Sequence, residues 1–297
     1  MGSRNVAWAA VFGVPALAAL ACLALSHSAF FASAAIFSGG MVVLTVVAAW
    51  LLPERATALP RIPVPNPQRE AWAMLAFMAV WGVGFLGWGL DQLAAHTAGQ
   101  ELFVWRFILK LVVMVALPSA VLAAAGGHVR AQWRARFDGR GFWLPLLVLG
   151  AAMVALAYAD PMAPPVLAVP AKEIWFIAPI AFLWLVLEAG LCEEYLFRAC
   201  LQTRLAAWLK SDVAAICVTA LLFGLAHFPG FAWREPPPGA PGGLSLETLA
   251  YCLTAVAPGA LLFGTVWART RNLWLCAALH ALADMPAMIV MKMTWFS

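Results

Sequence analysis

Two adjacent carboxylates, Glu193 and Glu194, with Arg198 one helical turn beyond the second, close a strongly apolar stretch of this 297-residue chain. Each ionisable group held near the centre of a bilayer costs roughly 2.5–3.5 kcal/mol on insertion scales, so such a cluster calls for a functional reason. Later apolar segments supply His227, His280 and Asp284. A carboxylate beside a histidine can hold and deprotonate a water, and a second histidine with a polar partner can donate to a developing oxyanion. That set can hydrolyse a bond without a covalent nucleophile. Two neighbouring carboxyls in low dielectric do not both ionise easily. Arg198 is therefore expected to pair with Glu194 and orient it, leaving Glu193 as the base.

The elements that must position these groups are membrane helices. With 64% hydrophobic residues, 11% charged residues and a mean hydropathy of +0.88, the chain is far from a soluble domain, whose charged fraction is about 25%. It reads as an all-α polytopic membrane protein. Apolar runs long enough to span lie at 6–26, 28–52, 71–90, 103–125, 142–159, 174–192, 213–228, 247–267 and 273–293. This predicts about nine transmembrane helices, or eight if one of the weakest runs (103–125, 142–159, 213–228) fails to span. The first run is read as a retained helix, not a cleaved leader, because further spans follow at once.

Lys and Arg fall unevenly among alternate loops. One side collects Arg4, Arg55, Arg61, Arg69, Arg130, Arg134, Arg136, Arg140, Arg198, Arg204, Lys210, Arg269 and Arg271. The amino terminus is therefore expected in the cytoplasm and the carboxyl terminus on the opposite side of a bacterial inner membrane. Pro53 to Arg69 and the basic Gly127 to Arg140 read as cytoplasmic loops that signal orientation; the second could also rest as a helix on anionic lipid. Glu235-Pro236-Pro237-Pro238-Gly239 is a turn-rich loop on the far side. The formal charge of +4 is explained by these loops and does not point to nucleic acid. Six cysteines without C-x-x-C spacing argue against a disulfide framework or a zinc ribbon. The fifteen tryptophans are read as interfacial anchors and packing. No internal repeat is evident. The chain divides into amino-terminal helices with basic loops, 1–140, and a site-bearing segment, 141–297.

If the helix carrying the glutamates runs on to about Lys210 and turns at Ser211-Asp212, Glu194 lies about 26 Å before the turn and His227 about 24 Å after it. The acids and His227 should then meet at one level. His280 enters from the same side after a turn at Thr270-Arg271, with Asp284 on its face one turn further on. Glu188 lies five residues before Glu193, about 140° around a regular helix, and is expected to face elsewhere and to pair with Arg106 or Lys110.

The three groups of residues resemble the motifs of the CAAX prenyl protease and bacteriocin-processing (CPBP, or ABI) family of intramembrane glutamic endopeptidases: E-E-x-x-x-R, F-x-x-x-H and H-x-x-x-N or D. Here they stand as Glu193-Glu194-Tyr195-Leu196-Phe197-Arg198, Phe223-Gly224-Leu225-Ala226-His227 and His280-Ala281-Leu282-Ala283-Asp284, in order and in successive apolar segments. The resemblance covers roughly residues 140–295. It implies a conical intramembrane site built by the carboxyl-terminal helices, with Glu193 and His227 activating the water. His280 and residue 284 would form the oxyanion site, supported by Glu194 and Arg198. Asp284 departs from the Asn of the eukaryotic prenyl-protein proteases. An ionised Asp would repel an oxyanion, so residue 284 either carries a proton or orients His280 through its ring N–H.

The resemblance implies a membrane-associated protein or peptide as substrate: a CAAX-like terminus, a bacteriocin leader or a carboxyl-terminal sorting tail. The apolar amino-terminal half is loosely similar to proteases of sorting-signal systems. Three rival readings stand beside it. Glu193, His227, His280 and Asp284 could ligate zinc, although no H-E-x-x-H is present and no cofactor is expected. The same acids and histidines could relay protons in a transporter, or the cluster could lock helices together in a non-catalytic scaffold.

Overall fold

The computed structural model describes residues 3–52, 58–97, 99–161, 169–234 and 240–296; Arg55 and the loop Glu235–Gly239 lie outside them. Among the described residues the chain is all-helical, and nine helices are long and apolar enough to cross a membrane. They are α1 Asn5–Leu25, α2 Phe31–Leu51, α3 Pro67–Leu93, α4 Val104–Ala124, α5 Gly139–Ala159, α6 Ala171–Leu209, α7 Asp212–Trp233, α8 Leu246–Thr270 and α9 Leu273–Val290. Each contains one of the nine apolar runs or most of it. The protein is a multi-pass membrane protein.

Local chemistry sets the ends of these helices. The Ser211 hydroxyl caps α7 by accepting from the Ala214 N–H at 3.1 Å, directly after Lys210 turns left-handed at φ 52°. Arg271, at φ 53°, closes α8 in the same way. Asp138 caps α5 by accepting from the Gly141 N–H at 2.5 Å. That backbone hydrogen bond, with Arg136 alongside, holds the Asp138 carboxyl below the usual carboxylate range.

Helix α8 is the central post. Two-thirds of its most apolar window (67%) is buried, against 17–28% for α1 to α5, whose outer faces are left for lipid. It packs on α2 and α7, while α9 packs on α6 and α5. Glycines let the site helices approach. A side-chain carbon on Gly190 of α6 would come within 2.9 Å of the Ala277 carbonyl carbon in α9, and one on Gly224 of α7 within 2.8 Å of the Cys252 carbonyl oxygen in α8. In both cases the obstacle is backbone, which cannot swing aside.

The basic loops gather at one end of the molecule. Leu59 N–H donates to Thr270 O at 2.8 Å, Asn272 Nδ2 to Arg136 O at 2.6 Å, and Arg69 to Ala124 O at 3.1 Å. Part of Gly127 to Arg140 is not a helix lying on lipid. Arg130–Trp133 forms a single 3₁₀ turn that sends Gln132 inward, wholly buried, while the exposed Trp133 ring stacks on Tyr195 at 4.7 Å. The buried Arg204 explains this, because it needs acceptors. It donates to Glu70 Oε2 at 3.2 Å, Ala199 O at 2.6 Å and His128 O at 2.7 Å, the last of which pins the loop.

Gly190→Ala is expected to cost at least about 1–3 kcal/mol, because one methyl forces α6 away from α9. A detergent unfolding midpoint equal to that of the wild type would contradict the close approach of the two helices.

Candidate active site

Helix α6 carries the acids, and it is not regular around them. Wide π-turns run over Val186–Leu191 and Tyr195–Gln202 and flank the short α segment Cys192–Glu194. In these turns hydrogen bonds reach five residues instead of four, so side chains five apart line up. The hydroxyl of Thr203 donating to Arg198 O at 3.0 Å shows this reach. Glu188 therefore does not face away from Glu193, as a regular period predicts. Both converge on one cation: Lys110 Nζ of α4 lies 2.9 Å from Glu188 Oε1 and 3.2 Å from Glu193 Oε1. Arg106 Nε stands 3.6 Å from the same Glu188 oxygen, so both expected cations pair with Glu188.

Glu194 has both oxygens engaged. Its Oε2 accepts from Arg198 Nε at 2.7 Å, and its Oε1 meets His280 Nδ1 at 2.9 Å. The Glu194 and Arg198 side chains are wholly buried. Arg198 also lays its guanidinium over the Phe223 ring, 5.3 Å from the centroid. The carboxylate accepts, so Nδ1 of His280 carries hydrogen and the ring orientation is set. Phe263 stacks flat against it at 5.0 Å. Its other nitrogen, Nε2, faces the opening, 3.4 Å from Asp284 Oδ2 and 3.8 Å from Glu193 Oε2. The short bond that orients His280 comes from Glu194; Asp284 stands on the opposite nitrogen.

His227 joins through Phe223. Its Nδ1 lies 2.8 Å from the Phe223 carbonyl, which can only accept, so Nδ1 donates and Nε2 of the neutral ring keeps a lone pair. The Phe223 ring touches both imidazoles, with centroids 4.7 Å from His227 and 5.8 Å from His280. All six residues singled out in the sequence thus collect at one place. Side-chain exposure rises from 0% at Glu194 and 5% at His280 to 13% at Glu193 and 44% at Asp284. Among the described residues no group of three or more His, Cys, Asp or Glu is arranged to hold a metal ion.

Sequence reasoning missed the contact of Lys110 with Glu193. Lys110 stood out as an intramembrane cation, but only the π-turn brings both acids to it. The stacking of Trp133 on Tyr195 and the burial of Gln132 beside it were also missed, because a basic loop gives no periodic signal of burial.

Arg198→Met strands the Glu194 carboxylate in an apolar core and is expected to cost about 3–5 kcal/mol. Adding Glu194→Leu should recover most of that stability while releasing His280. Unfolding midpoints of the single and double variants in detergent test this; equal losses in both would contradict a buried pair.

No curated protein and no solved structure matches the chain. A family model described as type II CAAX prenyl endopeptidase Rce1-like matches residues 175–286, which carry every residue of the three motifs. That match supports placing residues 175–286 of this multi-pass membrane protein, which carry the site, with the CPBP family of CAAX-type endopeptidases.

Proposed function

We propose that the chain is an endopeptidase that hydrolyses a peptide bond of a membrane-associated protein or peptide, using a water activated within the membrane. The observation that carries this reading is His280, clamped at Nδ1 by a buried carboxylate while Nε2 meets Glu193 and Asp284 at the open end of the cluster. In this reading Glu193 and the lone pair on His227 Nε2 hold the water. Its oxygen attacks the scissile carbonyl carbon, and its proton passes to Glu193. A His280 ring with hydrogen on both nitrogens donates Nε2–H to the oxyanion while Nδ1–H stays on Glu194. The C–N bond then breaks, and Glu193 returns the proton to the leaving amine. Asp284 stands 3.4 Å from Nε2 at the mouth of the cluster.

An apolar cavity of about 600 Å³ lies between α3 and α7, walled by Trp81, Leu222, Ala226 and Pro229, on the α7 face next to the one that carries His227. It offers room for the apolar part of a substrate such as a CAAX-like terminus, a bacteriocin leader or a sorting tail. The end that gathers the basic loops and the turns at Lys210 and Arg271 is taken as cytoplasmic, in a bacterial inner membrane.

Comparison of membrane-protein termini by mass spectrometry, between cells expressing wild type and Glu193→Gln, tests the reading. Termini present only with wild type are expected. Identical termini, with both proteins inserted and abundant, would move the assignment to a transporter or scaffold. With the substrate in hand, His280→Ala should lose the ~2.7–4 kcal/mol of one oxyanion donor, about 10²–10³ in kcat. Activity abolished by a chelator and restored by zinc would replace this mechanism with a metal-dependent one.

A further inference from the structure

Glu193 is not held by the family motifs alone. The residue closest to its Oε1 is Lys110, from α4, outside the matched residues 175–286. Lys110 is 6% exposed, and its ammonium is shared between Glu193 at 3.2 Å and Glu188 at 2.9 Å. Arg106 closes on Glu188 from the other side at 3.6 Å. The groups form a row of alternating charge: Arg106, Glu188, Lys110, Glu193. Lys110, Glu188 and Glu193 are largely enclosed, while the Arg106 side chain is half-exposed at 49% and balances the second carboxylate from the outer end of the row.

The row has a direction. With Oε1 held by Lys110, the remaining oxygen, Oε2, is turned toward His280 Nε2, at 3.8 Å. A glutamate side chain has three rotatable bonds, and its terminal torsion is broad and two-fold, so an untethered Glu193 would aim its reactive oxygen over a wide arc. Tethering one oxygen removes that freedom. The π-turn makes this geometry available, because it brings Glu188 beneath the same ammonium and thereby fixes Lys110 itself.

We infer that Lys110 is a positioning residue for the hydrolytic reaction, holding Glu193 through one oxygen while Glu188 locks the lysine in place. The inference rests on Glu193 being the base proposed above.

The test uses the full chain in nanodiscs with the substrate peptide identified from the terminal comparison. Lys110→Met is expected to lower kcat about 10²-fold, the scale of a misplaced reacting group, with KM changed less than about threefold. Lys110→Arg keeps the charge and should restore kcat to within about tenfold of wild type. The double variant Lys110→Met/Glu188→Leu removes one buried opposing pair together, so it is expected to recover stability that the single variant loses. A purely structural lysine predicts that activity returns with stability in that double variant; a positioning lysine predicts that kcat stays low. Wild-type kcat in either methionine variant, or a change confined to KM, overturns the inference while leaving the protease reading intact. Absence of cleavage by the wild type overturns the reading itself.

Discussion

Glu194 and Arg198 are wholly removed from solvent, and in surroundings this apolar each stranded charge would cost several kcal/mol. The local architecture answers that cost. Arg198 reaches Glu194 one turn back and spreads its guanidinium over the Phe223 ring, while Glu194 spends its second oxygen on His280. Three helices, α6, α7 and α9, are thereby tied to one buried pair. The close approach at Gly190 is a condition of the arrangement, because α9 must lie almost backbone to backbone with α6 for His280 to reach Glu194.

The π-turns on either side of the acids extend the same logic. A regular helix would distribute Glu188, Glu193, Glu194 and Arg198 around its circumference and leave some of them on lipid. Widening the helix before Cys192 and after Glu194 sorts them instead. Glu194 and Arg198 turn toward the interior with His280, and Glu188 and Glu193 turn toward α4, where Lys110 neutralises both. Each π-turn sacrifices ideal hydrogen-bond geometry, which is why such segments gather at functional sites.

Much of this was legible in the sequence because the bilayer imposes a length rule and an apolarity rule at once. Nine apolar runs became nine helices, and the turns at Ser211 and Arg271 fell where polar residues interrupt them. The sixth run looks shorter than its helix, since charges end an apolar run at 192. The helix continues to Leu209 because those charges are paired internally and helical hydrogen bonding has no reason to stop. The motif spacing fixed which side chains could meet. What periodicity could not convey was the local change of period. Glu188 was therefore placed on the wrong face, and the second partner of Lys110 stayed hidden. Nor does composition reveal that a loop rich in arginine buries Gln132 and lays the exposed Trp133 ring against Tyr195, because that docking is dictated by the unmet donors of Arg204 on another element.

The groups of the site are ordered by their access to water. Arg198 and Glu194 are dry, His280 is nearly so, Glu193 is partly open, and Asp284 stands in the mouth. A fixed charge acts most strongly where solvent cannot screen it, so the residues that only orient belong at the bottom. A base and an oxyanion donor must meet water and substrate, so they belong where the cluster opens. Lys110 fits the first class by burial and touches the second by contact, for it is enclosed yet bonded to the partly open Glu193. That makes α4 the element through which the amino-terminal helices touch the site. A change in how α4 packs against α6 would reach the Glu193 carboxylate through a single ammonium.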